Sequence, residues 1–287
     1  MKKILFFAAL VAMTSCSKST LETTSVVDEK LPINISTALT RATDTEFEVG
    51  DKVGLFVVNE PNALVAAGNH ADNICFSHDG VWTPNEVIYW LDKSTKADFY
   101  CYYPYADGAS TTAHTFATKA DQSSLANYKA SEFLWGKAEG IAPTKEAVDI
   151  TTYHSFSNAI IILKPGDGFT EDTLAAATKS VKLCGIKTNA TIDLSTGEAT
   201  AAGNTTEVKP YYDGSKYRAL IVPQTTEEGA LIVVTVNDVD YTLSRSMTFK
   251  ANKQHKFTVT LNKTSNGVNV GIGGWETDEE DYGGDAE

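Results

Sequence analysis

The sequence has few cysteines and no arrangement of them that suggests a structural framework. There are four, at positions 16, 75, 101 and 184. Cys16 follows an apparent export signal and is considered separately. The remaining three cysteines are odd in number and include no CxxC pair. Disulfide frameworks use an even number of cysteines, and zinc or redox sites use closely spaced pairs such as CxxC. We therefore expect no disulfide framework, and we expect Cys75, Cys101 and Cys184 to be free, buried thiols.

The chain also lacks an excess of basic residues. It contains 24 Lys and Arg against 37 Asp and Glu, for a net charge of −13. Nucleic acids and anionic lipid surfaces are bound mainly through Lys and Arg, so neither is expected as the main partner. Residues 276–287 contain seven acidic side chains and no basic one. This tail therefore carries more than half of the negative excess.

Catalytic and ligand-binding motifs are missing. The sequence has no GxSxG elbow, HExxH pair, P-loop or dinucleotide fingerprint. Its five histidines are scattered at spacings that suggest no common metal-binding face. His154, next to Phe156, is interpreted as a strand-start histidine satisfied by hydrogen bonds rather than as a base. We expect no enzymatic activity, no metal and no cofactor.

One apolar run, at the N-terminus, has the features of an export signal, although it is too short to span a bilayer. Two lysines precede apolar residues 4–13, and two small residues stand before Cys16. This order is typical of a signal that is cut before a cysteine, which is then acylated. Several acyl chains on one residue give stable attachment, because each buried CH₂ contributes about 0.8 kcal/mol. We predict a lipid-anchored protein; the alternative is a secretory signal that happens to end near a cysteine.

The rest of the chain consists of short segments rich in β-branched and aromatic residues, separated by turn residues. Predicted strands are 53–58, 73–76, 87–90, 99–103, 160–163, 217–222, 231–236 and 257–261. No sustained helical period occurs, and residues 124–128 and 174–179 form at most a turn or two. Short strands at regular spacing over this length predict an all-β chain with two β-sandwich domains.

A predicted strand is followed closely in the sequence by a candidate protease site, and both precede the first predicted sandwich. Leu31, Ile33 and Ile35 alternate with polar or turn-forming residues, which is typical of a half-buried strand. Arg41-Ala42 follows in a polar stretch that suits a trypsin-like protease. A cut after Arg41 disconnects the lipid anchor and this strand from the rest of the protein. The apolar groove and unpaired backbone left behind favour pairing with a strand from another chain.

A series of motifs runs through the chain in order. They are LTRAT at 39–43, FEVGDKVGLF at 47–56, VIYW at 87–90, ADFYCYYPY at 97–105, DQSS at 121–124, SEFLW at 131–135, YHSF at 153–156, IIIL at 160–163 and FTVTL at 257–261, followed by residues 268–275. Together they resemble the fimbrillin-like family, the type V pilus subunits of anaerobic Gram-negative bacteria. The resemblance covers nearly the whole chain up to Trp275.

The resemblance implies a lipoprotein precursor of a pilus subunit, with two transthyretin-like β-sandwich domains in tandem. An arginine-specific protease at the outer membrane would cut after Arg41, and a strand from a neighbouring fimbrial subunit would replace the strand of Leu31, Ile33 and Ile35. The expected parts are a signal peptide (1–15), a lipidated tether with the removable strand (16–41), two sandwiches (42–150 and 151–275) and the acidic tail (276–287).

The C-terminal region offers a candidate donor strand, since stalk subunits of the family commonly donate a C-terminal segment. Val268, Val270 and Ile272 alternate as a strand requires. Beyond Trp275 the chain has no apolar alternation, which favours a tip or minor subunit that accepts a strand without supplying one. After processing, the expected location is a cell-surface fimbrium, with a host glycan or protein receptor as a further partner.

Two other functions remain open on the residues alone. One is an outer-membrane-anchored glycan-binding lipoprotein that stays uncleaved, with Trp82, Trp90 and Trp135 stacking on sugars. Exposed tryptophans on one face would favour it, whereas buried ones favour the pilus subunit. The other is a hydrolase on an unfamiliar β scaffold, which requires a cleft with clustered carboxylates or histidines.

Overall fold

Short strands make up most of the structure, as the β-branched and aromatic composition predicts. The computed structural model describes residues 30–39, 47–264 and 267–272. The strands of the first half are β1 (Ile35–Leu39), β2 (Lys52–Asn59), β3 (Ala71–His78), β4 (Trp82–Pro84), β5 (Ala97–Tyr103), β6 (His114–Ala117), β7 (Leu134–Ile141) and β8 (Val148–His154). Those of the second half are β9 (Ser157–Pro165), β10 (Lys179–Asp193), β11 (Glu198–Val208), β12 (Tyr211–Tyr212), β13 (Tyr217–Ile221), β14 (Gln224–Thr225), β15 (Ala230–Val236), β16 (Val239–Ser244), β17 (Thr248–Phe249), β18 (Gln254–Thr264) and β19 (Gly267–Ile272).

The two helices of the described residues are short and begin at side-chain caps. In α1 (Leu125–Lys129) the Ser124 side chain accepts a hydrogen bond from the Asn127 backbone N–H, and α2 (Glu171–Ala176) begins with a capping box at Thr170. Such caps satisfy backbone donors that a helix leaves unpaired at its start. The prediction of short helical turns in these two regions is confirmed, and the other regular elements of the described residues are β-strands.

The first half forms a seven-stranded sheet with the order β1-β8-β7-β5-β2-β3-β4. Alternate residues of the inner strand β2 face opposite sides of this sheet. Leu55 and Val57 belong to one buried cluster, while Phe56 and Val58 belong to another. Both faces of the sheet are therefore covered at β2, which explains why six successive residues of this strand are buried.

The second half contains two larger sheets, β11-β10-β15-β16 and β12-β13-β9-β18-β19. Residues from both contribute to one apolar cluster, with Ile232 and Val234 of β15 from the first and Ile161 and Val259 from the second. Alternating apolar residues on facing sheets are the arrangement of a β-sandwich core.

The two halves share structure. Strand β6, from the first half, pairs with β10 of the second. The fully buried Gln122 side chain accepts a hydrogen bond from Leu220 N (2.8 Å) and donates to Leu220 O (2.9 Å) in β13. The predicted boundary at 150/151 falls inside β8, and the described residues from Leu31 onward form one compact unit. The tandem division thus stays a prediction.

One predicted strand is absent. Residues 87–90 do not form a regular strand, and Tyr89 makes an isolated bridge with Pro32. The reason is the proline, which has no backbone N–H with which to continue a ladder. The signal peptide, Cys16 and the acidic tail lie outside the described residues.

Candidate functional site

Residues 31–39, which contain the predicted removable strand and which we call the N-terminal segment, form hydrogen bonds with two different parts of the first sheet. The first part of the segment is antiparallel to residues 88–90, where Ile33 N donates to Ile88 O (2.8 Å) and Trp90 N donates to Leu31 O (2.9 Å). The second part, β1, runs parallel to β8, from Ile35 opposite Val148 to Leu39 opposite Thr152. The change of partner occurs at Asn34, whose carbonyl accepts from Val148 N (2.8 Å).

These two partners belong to opposite ends of the strand order. Strand β8 adjoins β1 at one end, whereas residues 88–90 follow β4, the strand at the other end. The Trp90 indole N–H donates to Thr144 O (3.2 Å), shortly before β8, so residues 88–90 lie close to the start of that strand. The N-terminal segment therefore joins the two ends of the sheet, and its loss leaves unpaired backbone groups on both sides.

The apolar side chains of the segment are part of the core. Ile33 is 2% exposed and Ile35 is 5% exposed, Leu31 is half-buried, and the residues between them are exposed. The predicted alternation is confirmed. Ile33 and Ile35 belong to the same buried cluster as Ile88, Trp90, Val148 and Ile150. Each fully buried aliphatic side chain contributes about 1.5–3 kcal/mol, so the segment fills a groove that is unfavourable to leave empty.

The chain after the predicted cleavage site has its own attachment to the sheet. Phe47 makes edge-to-face contacts with Trp82 (5.0 Å between ring centroids) and Tyr103 (5.7 Å). Arg41 and Ala42 lie outside the described residues, between the segment and Phe47. Because Phe47 is held by contacts that do not involve the segment, a cut at Arg41 leaves the following chain anchored.

The candidate donor residues lie in the other half of the chain. Strand β19 is antiparallel to β18, with Val270 opposite Leu261 and Ile272 opposite Val259, and it is the end strand of its sheet. The backbone of Val268, Val270 and Ile272 is described, but their side chains lie outside the description. The donor candidate and the N-terminal segment belong to different sheets of the chain.

Trp82, Trp90 and Trp135 do not form an exposed platform. Trp90 is 5% exposed, and Trp82 is half-buried against the same cluster. Trp135 packs against the cluster on the opposite face of the sheet and donates its indole N–H to Leu194 O (2.8 Å). Their burial agrees with the pattern expected of a pilus subunit rather than of a tryptophan-based sugar platform.

His154 and Glu132 form a buried ion pair within the core of the described fold. His154 Nδ1 lies 2.9 Å from Glu132 Oε2, and both side chains are mostly buried. His154 ends β8, so the prediction of a strand-start position was wrong, although its hydrogen bonding is confirmed. Burial alone lowers the pKa of His154, but the hydrogen bond and charge of Glu132 outweigh it, and the net pKa is raised.

No group of three or more His, Cys, Asp or Glu side chains within the described ranges is placed to hold a metal ion. Cys75, Cys101 and Cys184 are free thiols, the first two buried and the third half-buried. Neither described helix has the length or apolar character needed to cross a membrane.

The residues that receive the N-terminal segment were missed as site residues. Ile88 was predicted only as a member of a strand, Trp90 as a member of that strand and as a candidate sugar-stacking residue, and Val148 and Ile150 were not singled out. Their period-2 alternation was a usable signal for a one-sided apolar strand. Nothing in either pattern indicated that both stretches would pair with one short segment.

Comparison with known proteins gives a consistent result. A family model described as fimbrillin-like matches residues 40–275, most of the chain. A Bacteroides uniformis protein, provisionally named fimbrium subunit Fim1C, is 26% identical, with 96% of each chain covered. A crystal structure from Bacteroides ovatus, provisionally described as a cell adhesion protein, superposes with a TM-score of 0.65 at 20% identity, over 85% of this chain and 96% of that one. Another from Bacteroides uniformis, with the same description, gives a TM-score of 0.63 at 22% identity over the same shares.

Proposed function

The chain belongs to the fimbrillin-like family, and we propose that it is a fimbrial subunit assembled by donor-strand complementation. An arginine-specific protease cuts after Arg41, the N-terminal segment leaves, and a strand from another fimbrial subunit takes its place. The observation that carries this proposal is the position of the segment, which joins two ends of one sheet and buries Ile33 and Ile35.

The geometry of the groove restricts the incoming strand. To replace the segment, the donor runs parallel to β8 and presents apolar side chains at alternate positions. Val268, Val270 and Ile272 have the same spacing as Leu31, Ile33 and Ile35. If this stretch of another copy is the donor, it first separates from β18. The acidic tail, which has no alternation, favours a tip or minor subunit that only accepts a strand.

The proposed life cycle begins at the outer membrane. Acylation of Cys16 anchors the precursor there, and cleavage after Arg41 separates the folded part of the chain from its own lipid. The mature protein is then held on the cell surface through other fimbrial subunits, where it contributes to adhesion to a host glycan or protein receptor.

The test compares three forms of the soluble chain from Ser17: wild type, Arg41→Ala and Arg41→Lys. Each is treated with an arginine-specific protease or with trypsin, and its intact mass and native size are measured. We expect both proteases to cut wild type after Arg41. Arg41→Lys should be cut there only by trypsin, and Arg41→Ala by neither.

The assembly step is tested with the cut protein and its partner subunits, or a synthetic peptide of residues 266–274. We expect wild type to exchange its segment only after the cut and uncut Arg41→Ala to stay monomeric. Polymer formed by uncut Arg41→Ala would contradict the proposed site. A cut protein that never releases the segment would contradict strand exchange.

A further inference from the structure

The N-terminal segment carries a polar side chain on the face that meets the core. Side chains two residues apart along a strand face the same side, so Thr37 follows Ile33 and Ile35 on that face. Ile150, the partner of Thr37 in the parallel pairing with β8, is fully buried in the cluster that also holds Ile33 and Ile35. Thr37 therefore stands where the alternation calls for an apolar residue.

The hydroxyl of Thr37 is buried without a partner. Its Oγ1 makes no hydrogen bond to any of the described residues. By contrast, the hydroxyl of Ser36, which faces the other side of the strand, donates to Asp149 Oδ1. A hydroxyl that gives up its hydrogen bonds to water and gains no others lowers the stability of the state that buries it. The segment thus matches its groove on the polar face and is mismatched at one point on the apolar face.

We propose that the position of Thr37 determines which strand the groove prefers, and that it prefers a valine there; this inference rests on the strand exchange proposed above. Valine and threonine are both β-branched and suit a strand. Valine fills the same space opposite Ile150 with a methyl group in place of the hydroxyl, so it buries no unpartnered polar atom.

This preference gives the exchange a direction. The N-terminal segment is a weaker occupant of the groove than an otherwise similar donor strand of another fimbrial subunit that carries valine at the position of Thr37. The segment is still held by the buried Ile33 and Ile35. It fills the groove well enough to complete the precursor, and a matched donor displaces it.

The first measurement uses the uncut soluble chain from Ser17, in which strand exchange plays no part. Thr37→Val should lower the equilibrium constant for unfolding in urea by about 5-fold to about 150-fold. Thr200→Val makes the same substitution at an exposed position of β11 and is the matched control. A gain in stability no larger than that of the control, or a loss, would overturn the proposal, because the Thr37 hydroxyl would then carry no penalty.

The second measurement tests the groove as a receptor. Cut wild-type protein with a fluorescent label on its own segment is mixed with synthetic peptides of residues 30–39, either unchanged or carrying Thr37→Val or Ser36→Ala. The concentration that displaces half of the labelled segment should be about 5-fold to about 150-fold lower for the Thr37→Val peptide than for the unchanged one. The Ser36→Ala peptide, which removes the partnered hydroxyl, should gain nothing.

The outcomes separate this inference from strand exchange itself. Equal displacement by the Thr37→Val and unchanged peptides would overturn the preference for valine. If no peptide displaced the segment while Thr37→Val still stabilised the uncut chain, strand exchange would be contradicted and the preference of this position would be supported.

Discussion

Replacement of Ile33 by alanine is the sharpest perturbation of the N-terminal segment. This side chain is 2% exposed and packs in the cluster that includes Ile88 and Trp90. Alanine leaves the backbone hydrogen bond from Ile33 N to Ile88 O in place and removes only the packing. Any effect therefore reports how strongly burial, rather than strand pairing, holds the segment.

The expected magnitude follows from the burial. Truncation of a buried isoleucine to alanine costs about 2–5 kcal/mol, depending on how far the surroundings relax. Since about 1.4 kcal/mol corresponds to a factor of ten, Ile33→Ala should weaken retention of the cut segment by about 30-fold to about 4,000-fold. In the uncut chain, the free energy of unfolding should fall by the same 2–5 kcal/mol or so.

The assay follows a fluorescent label on the N-terminal segment after proteolysis at Arg41. The rate of segment loss on dilution is compared for wild type, Ile33→Ala and Asn34→Ala. Asn34 is exposed, and its backbone carbonyl still accepts from Val148 N in the control. If Ile33→Ala retained the segment as well as Asn34→Ala, burial would not be what holds it. After the segment has gone, Ile33→Ala and wild-type proteins should unfold at the same temperature, because residue 33 has left both.

Two further predictions concern the rest of the described fold. Gln122→Leu should lower the free energy of unfolding, because the N–H and the C=O of Leu220 each lose a buried hydrogen-bond partner, at a cost of about 1–3 kcal/mol for each group. Urea unfolding measures this loss of stability. A loss no larger than that caused by the exposed control Asn204→Leu would contradict the prediction. The raised pKa of His154 means that its pair with Glu132 stabilises the fold below about pH 6.5 and that this contribution is lost as the pH rises through the folded-state pKa. Glu132→Gln should flatten that part of the pH dependence of the urea midpoint, and an unchanged pH profile would exclude the pair as its source.

The sequence correctly predicted that most secondary-structure elements are strands, because β-branched and aromatic composition and the alternation of apolar residues indicate burial against one face of a sheet. Phe257, Val259 and Leu261 alternate with threonines and form part of β18, where all three are buried. The long β10–β11 hairpin was not predicted. Its strand β11 is largely polar and exposed, so it lacks the apolar signal on which strand prediction depends. The pairing of β6 with β10 could not be predicted either, since the sequence pattern of one strand contains no information about a partner that is distant in the chain.

At the candidate site, the sequence identified which side chains are buried but not what they bury against. Leu31, Ile33 and Ile35 have a local period, so their burial was predictable. Their pairing first with residues 88–90 and then with β8 depends on how distant parts of the chain come together in the folded sheet, which a local sequence pattern does not contain. Pro32 was a partial clue, because a residue without an N–H fits a strand start or a sheet edge rather than the middle of a ladder.

The geometry also explains why cleavage, which removes no contact of the segment, would act as a switch. Before the cut the segment is covalently tethered beside its groove, and attachment through a short linker gives an effective concentration of about millimolar. A donor strand of similar affinity would need to exceed that concentration to displace it. After the cut the segment is a separate molecule, and once it dissociates it is diluted to its bulk concentration. Since Phe47 keeps the following chain in place through Trp82 and Tyr103, the groove persists while its intramolecular competitor is lost. In the proposed mechanism, proteolysis would therefore favour exchange by abolishing a local concentration, not by breaking the sheet.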